Sequence, residues 1–78
     1  MKREKIFKMI ENERLNQDEK WGEQAHHPYK WMSILMEEVG EVAKAILEDD
    51  NVGYADELIQ VAAVAVAMIE SHQKGNRI

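Results

Sequence analysis

The chain contains no cysteine, so neither a disulfide nor a thiolate-bound zinc ion can stabilise it. Basic residues are also few: 10 Lys and Arg stand against 15 Asp and Glu, which gives a net charge of −5. This balance argues against a nucleic-acid polymer as partner, because such binding needs a basic surface that displaces counterions. An acidic protein that handles phosphates needs a metal cation to bridge the like charges.

Long apolar runs and a leader-like start are missing as well. The longest apolar run, residues 61–69, is short for a bilayer span, and the charged start MKREKIFKMIENER lacks the apolar stretch of a signal peptide. We therefore expect a cytoplasmic protein without a membrane partner. The 78 residues suffice for one small domain, assigned to residues 1–78, and the hydrophobic fraction of 45% allows a packed core.

The spacing of apolar residues predicts helices and no strand, so the fold class is all-α. Apolar side chains recur at intervals of three and four, which is typical of amphipathic helices. A first loop is predicted at residues 20–30, around Gly22 and the only proline, Pro28. The stretch EDDNVG is predicted as the second turn, and Gly75 as the final stop. The predicted helices cover residues 3–19, 29–47 and 54–72.

The third predicted helix is apolar nearly all round. Such a helix is normally buried on every side, and two other short helices cannot cover it. The uncovered part would form an apolar patch of the kind that marks a protein–protein interface. We therefore predict a small bundle of three main helices per chain, completed by oligomerisation as a homodimer or homotetramer.

The second helix, WMSILMEEVGEVAKAILEDD, contains Glu37, Glu38 and Glu41 among its apolar residues. At about 100° per residue, Glu38 falls within or at the edge of the apolar sector. On the third helix, Glu57 and Gln60 are three residues apart, and Gln60 is the only polar residue inside the apolar run. The apolar sector of the second helix comprises Trp31, Leu35, Val39, Val42 and Ile46.

Two interpretations of these polar residues remain open. Glutamates on helices are usually solvated, so these could pair with Lys30 or Lys44, and Gln60 could hydrogen-bond a partner helix. Alternatively, an inward Glu38 must be paired or metal-bound, because an unpaired buried charge is strongly destabilising. Clusters of oxygen ligands suit magnesium, manganese or calcium.

The stretch EEVGE, residues 37–41, followed by ELIQ, residues 57–60, resembles the E-E-x-x-E and E-x-x-D motifs of the MazG-like all-α nucleoside triphosphate pyrophosphatases. The resemblance covers residues 21–70 and includes the segment KWGEQAHHPYKW. It implies a Mg²⁺-dependent enzyme, with Mn²⁺ as a substitute, that hydrolyses an NTP or dNTP to the monophosphate and pyrophosphate. Removal of surplus or non-standard nucleotides is the role implied for such an enzyme.

The resemblance also implies roles for individual residues. Glu37 would bind a second ion or orient the attacking water. Trp31 is better explained as a core residue, and Trp21 is the better candidate for stacking on a base. The implied catalytic residues are Glu37 and Glu38. The implied metal ligands are Glu38, Glu41, Glu57 and Gln60. The implied substrate contacts are Trp21, Lys30, Trp31, Lys44 and Tyr54.

Gln60 departs from the family pattern, which has aspartate at this position. A glutamine offers a metal one neutral oxygen but no charge. This departure keeps an alternative open, namely a catalytically weak or inactive helical oligomer of the same fold that binds a nucleotide or metal. A purely structural helical oligomer with solvated glutamates is the third hypothesis.

Overall fold

The computed structural model describes all 78 residues and contains three α-helices without a strand, which confirms the predicted all-α class. The helices are α1 (Arg3–Trp21), α2 (Pro28–Leu47) and α3 (Asn51–Gln73). Helix α3 packs against both α1 and α2, whereas α1 and α2 do not pack against each other. The central position of α3 leaves a cleft between α1 and α2.

The loop before α2 is shorter than predicted because both flanking helices extend into it. Helix α1 continues to Trp21 and ends at Gly22, whose φ of 71° is a conformation that favours glycine. Pro28 occupies the first turn of α2, where a backbone N–H has no acceptor within the helix, so the missing N–H of proline costs no hydrogen bond. The side chain of His27 caps this helix, since its Nδ1 accepts a hydrogen bond from the Tyr29 N–H at 3.1 Å.

The prediction that EDDNVG is a turn throughout was wrong in its second half. Asn51 and Gly53 belong to the first turn of α3, which begins three residues earlier than predicted. Asp50 caps the helix, and its carboxylate accepts a hydrogen bond from the Gly53 N–H at 2.9 Å. A Cβ atom at Gly53 would collide with this carboxylate, so a glycine at this position allows the Asp50 side chain to cap the helix. At the other end Gly75, with φ of 101°, follows the helix as predicted.

The core of the single chain is small and lies between α2 and α3. Trp31 of α2 is 5% exposed and packs against Val64 and Ala67 of α3. Trp31 is therefore a core residue, as its place in the apolar sector of the second helix predicted. Only seven of the 78 residues are buried, two of them polar.

Much apolar surface remains uncovered. Val39 and Ile46 of the apolar sector of α2 are 38% and 58% exposed in the single chain. Buried Ala45 shows that the buried face turns away from them. On α1, Phe7 and Leu15, two of its regularly spaced apolar residues, also face solvent. A single chain thus leaves apolar faces of all three helices unpartnered.

Helix α3 is longer than its continuous apolar run. By length and composition alone it could cross a membrane. The continuous apolar run 61–69 is too short for this, but the helix begins earlier, at Asn51. Only 17% of its most apolar window is buried within the chain. The central helix of a soluble protein meets the same test, so the finding is weak evidence for a span.

Candidate active site

Two adjoining cavities occupy the cleft between α1 and α2, above α3. The first has a volume of about 460 Å³ and extends towards the C-terminal end of α3. The second is more open, and Trp21 is the one hydrophobic residue among the ten that line it. Four residues line both cavities, so the boundary between them is the natural centre of the site. These residues are Gln17, Trp21, Glu38 and Gln60.

Glu38 lies half-buried at this boundary. Burial raises the pKa of its carboxyl group above the usual range, and the charge of Glu57 and a hydrogen bond with it act in the same direction. The charges of Glu37 and Glu41 raise this pKa further. On α2, Glu41 is three residues from Glu38 and four from Glu37, so it lies one helical turn from both, and α3 presents Glu57 from across the interface. The four predicted carboxylates therefore share one electrostatic environment.

Carboxylate oxygens are the type of donor that a hard divalent cation prefers. Negative charges held near one another raise each other's energy, and a cation between them relieves that repulsion. No group of three or more Asp, Glu or His side chains converges closely enough to enclose an ion on its own. Mg²⁺ commonly uses only one or two carboxylates, with substrate phosphates and water completing its shell. The donor set thus suits a site that a phosphate ligand completes.

Gln60 reaches the same boundary from α3. Its Oε1 accepts a hydrogen bond from Gln17 Nε2 of α1 at 3.3 Å. Within the chain, the hydrogen-bond partner of Gln60 is thus a glutamine of α1, and a bond from Gln60 to a helix of a partner chain stays a prediction. The ion pairs of the glutamates with Lys30 or Lys44, which one of the two open interpretations allowed, are not formed. The chain's ion pairs are Lys8–Glu11, Arg14–Asp18, Arg14–Glu70 and Lys74–Glu23.

The predicted substrate contacts are not all brought to the cleft. Trp21 lines both cavities and is 55% exposed, and Trp31 lines the first cavity from the core. Lys30, Lys44 and Tyr54 line neither cavity. Lys30 immediately precedes the buried Trp31, so the helical rotation turns it towards solvent.

Arg14 and Gln17 are site residues that the sequence analysis did not identify. Arg14 donates to Gln17 and Asp18 at 2.9 Å each, and to Glu70 of α3 at 2.8 Å. The spacing of Arg14, Gln17 and Asp18, at three and four residues, could have signalled a polar face of α1. The contact with Glu70, however, spans 56 residues of sequence and arises only from helix packing.

At the far end of the first cavity, Lys74 Nζ donates to Glu23 Oε1 at 2.6 Å. Both cationic side chains along this cavity, Arg14 and Lys74, are thus already bonded to carboxylates. Five carboxylates line the same cavity, so its lining is acidic overall. They belong to Asp18, Glu23, Glu37, Glu38 and Glu70.

An all-α chain with carboxylates of two facing helices at one cleft is typical of the MazG-like class of enzymes. The model of the phosphoribosyl-ATP pyrophosphohydrolase family matches residues 3–73, and the chain belongs to that family. The family lies within the MazG-like all-α superfamily and consists of soluble hydrolases that act on a pyrophosphate bond of a nucleotide-like substrate. Neither a search of curated proteins nor one of solved structures finds a match.

Proposed function

We propose that the protein hydrolyses the triphosphate of a nucleotide to the monophosphate and pyrophosphate, in the presence of Mg²⁺ or Mn²⁺. The observation that supports this most directly is the carboxylate cluster around Glu38, whose pKa is raised by burial and then by the neighbouring carboxylates. Glu38, Glu41 and Glu57 are the residues that would hold the cation. A cation bound there neutralises charge on the phosphate oxygens.

The protein's own groups have distinct tasks in this proposal. A water oxygen attacks a phosphorus atom, the P–O bond of the anhydride breaks, and pyrophosphate leaves. Glu37, exposed beside Glu38 and lining the first cavity, accepts the proton of that water. Trp21 offers an aromatic face for the nucleotide base. No covalent intermediate on the protein is required.

The charge of the first cavity favours a free nucleoside triphosphate, NTP or dNTP, as substrate. If the triphosphate lies at the carboxylates with its cation, the nucleoside extends into this acidic cavity. A neutral base and sugar fit there, whereas a phosphoribosyl group on the base would bring a second phosphate near Asp18, Glu23 and Glu70, where both cations are already paired. Phosphoribosyl-ATP is the second candidate, because the matching family is named for it.

A pyrophosphate-release assay decides between these substrates. Common ribo- and deoxynucleoside triphosphates and phosphoribosyl-ATP are each tested with Mg²⁺ and with Mn²⁺. We expect release from at least one free triphosphate at a higher kcat/KM than from phosphoribosyl-ATP. Release from phosphoribosyl-ATP alone would reverse the order of the two candidates. Nucleotide binding by calorimetry without any product would instead support a binding module of the same fold.

We also infer that the functional unit is a homodimer or homotetramer in the cytoplasm. The apolar side chains exposed on all three helices, among them Phe7, Leu15 and Ile69, favour burial against a second copy. An open cleft flanked by only three helices also favours a site completed by a partner. Light scattering is expected to give a mass of at least twice the 9.1 kDa of the chain. A stable monomer at micromolar concentration would contradict this assignment.

A further inference from the structure

Gln17 is an unusual residue for its position. It is 8% exposed and is the only buried residue of α1, while apolar neighbours such as Leu15 face solvent. A buried amide is tolerated only when its donors and acceptors are satisfied. Its location between the two cavities, beside Glu38 and Gln60, places it at the proposed site rather than in the core.

The orientation of the Gln17 amide is set by Arg14. A guanidinium group can only donate, so the Gln17 atom that faces Arg14 Nη1 at 2.9 Å must be the oxygen Oε1. Arg14 is itself fixed by its bonds to Asp18 and Glu70. The Gln17 amino group consequently faces Gln60, and the Gln60 atom that receives its hydrogen bond must be Oε1.

This chain of hydrogen bonds determines what Gln60 offers the cleft. The Gln60 oxygen is directed to Gln17, and its Nε2 donates to no side chain or backbone carbonyl of the protein. An amide N–H near the carboxylates would repel a cation but can donate to an oxygen of a bound phosphate. Gln60 is thus oriented as a donor, not as the neutral metal ligand that the family motif implied.

We propose that Gln17 is a positioning residue that, held by Arg14, keeps the Gln60 amino group available to donate to a phosphoryl oxygen of the substrate. This inference rests on the proposed function for the identity of the substrate. The orientation of the two amides, however, is a property of the protein without ligand. The two parts can therefore be tested separately.

A double-mutant cycle tests the functional part. Gln17→Met and Gln60→Met are each expected to lower kcat/KM for pyrophosphate release by about tenfold, the effect of one lost hydrogen bond. The double variant should be no worse than Gln60→Met alone, because Gln17 acts only through Gln60. Losses that multiply in the double variant would overturn the proposal.

Gln17→Glu tests the orientation itself and keeps the contact with Arg14. A carboxylate at position 17 has no donor, so Gln60 must turn its amino group to it and its oxygen to the cleft. We expect the ¹⁵N–¹H signals of the Gln60 side chain to shift, and the Mg²⁺ concentration for half-maximal activity to fall severalfold. Gln73→Glu, which adds the same charge at an exposed position outside both cavities, serves as the control.

Unchanged Gln60 signals in Gln17→Glu would overturn the inference even if the enzyme were active. Conversely, a wild-type protein that releases pyrophosphate from no triphosphate would contradict the proposed function, while the Gln60 signals would still report the amide orientation. Thermal melting of each variant shows whether it remains folded. The Gln17→Glu variant remains usable if Gln17→Met unfolds, because its bond to Arg14 is preserved.

Discussion

Glu38→Gln is expected to reduce pyrophosphate release by about a hundredfold or more while the three helices remain folded. Glu38 is the one carboxylate that lines both cavities and is affected by Glu37, Glu41 and Glu57 together. The amide has the same shape but cannot contribute charge to a cation. Initial rates measured with saturating Mg²⁺ and nucleotide would show the loss in kcat.

The matched control is Glu48→Gln, which makes the same chemical change at an exposed residue just beyond α2, outside both cavities. This variant should retain wild-type rates. Glu38→Gln should melt no lower than the wild type without metal, because it removes a charge that burial and three neighbouring carboxylates destabilise. Equal rates for Glu38→Gln and the wild type would remove Glu38 from the catalytic site.

The second large effect is expected in thermal stability, as a joint dependence on pH and Mg²⁺. The folded-state pKa of Glu38 is raised above its usual 4.5, so the folded protein binds this proton more tightly than the unfolded chain does. The corresponding stabilisation is fully present below pH 4.5 and is lost as pH rises through the raised pKa. Melting temperatures measured without metal should therefore show this loss, and Glu38→Gln should show less of it.

Mg²⁺ should restore stability above that pH, because it binds the ionised carboxylates of the folded state. At a hundredfold excess over Kd the gain is about 2.7 kcal/mol, which for a domain of this size corresponds to roughly 10 °C or more in melting temperature. Na⁺ at equal ionic strength controls for screening. A wild-type protein whose melting temperature is indifferent to both Mg²⁺ and Mn²⁺, with and without nucleotide, would favour the structural oligomer.

Features of the fold that neighbouring residues alone determine could be predicted from the sequence. Helix spacing, Pro28 and the final glycine are local signals, and they located three helices with small errors at their ends. The largest of these errors, at the start of α3, arose because Asp50 and Gly53 suit either a turn or a helix cap. Helical rotation also placed Glu38 within or at the edge of the apolar sector of α2, but packing of α2 on α3 decided that this side chain is half-buried rather than solvated.

The tertiary structure decided everything that depends on which helix faces which. The exposure of Phe7 and Ile46 could not be predicted, because an apolar face is buried only if another surface covers it. The same holds for Lys30 and Lys44, whose helical spacing permitted ion pairs that are not formed.

The hydrogen-bonded series from Glu70 through Arg14 and Gln17 to Gln60 is the clearest case. Sequence alone established Gln60 as a departure from an acidic motif and left its role open. Packing of α1 on α3 brings Gln17 into contact with Gln60. Because Arg14 can only donate hydrogen bonds, it fixes the orientation of the Gln17 amide, and this in turn determines that the amino group of Gln60 faces the cleft. Residues 43 positions apart in the chain share no local signal of that contact.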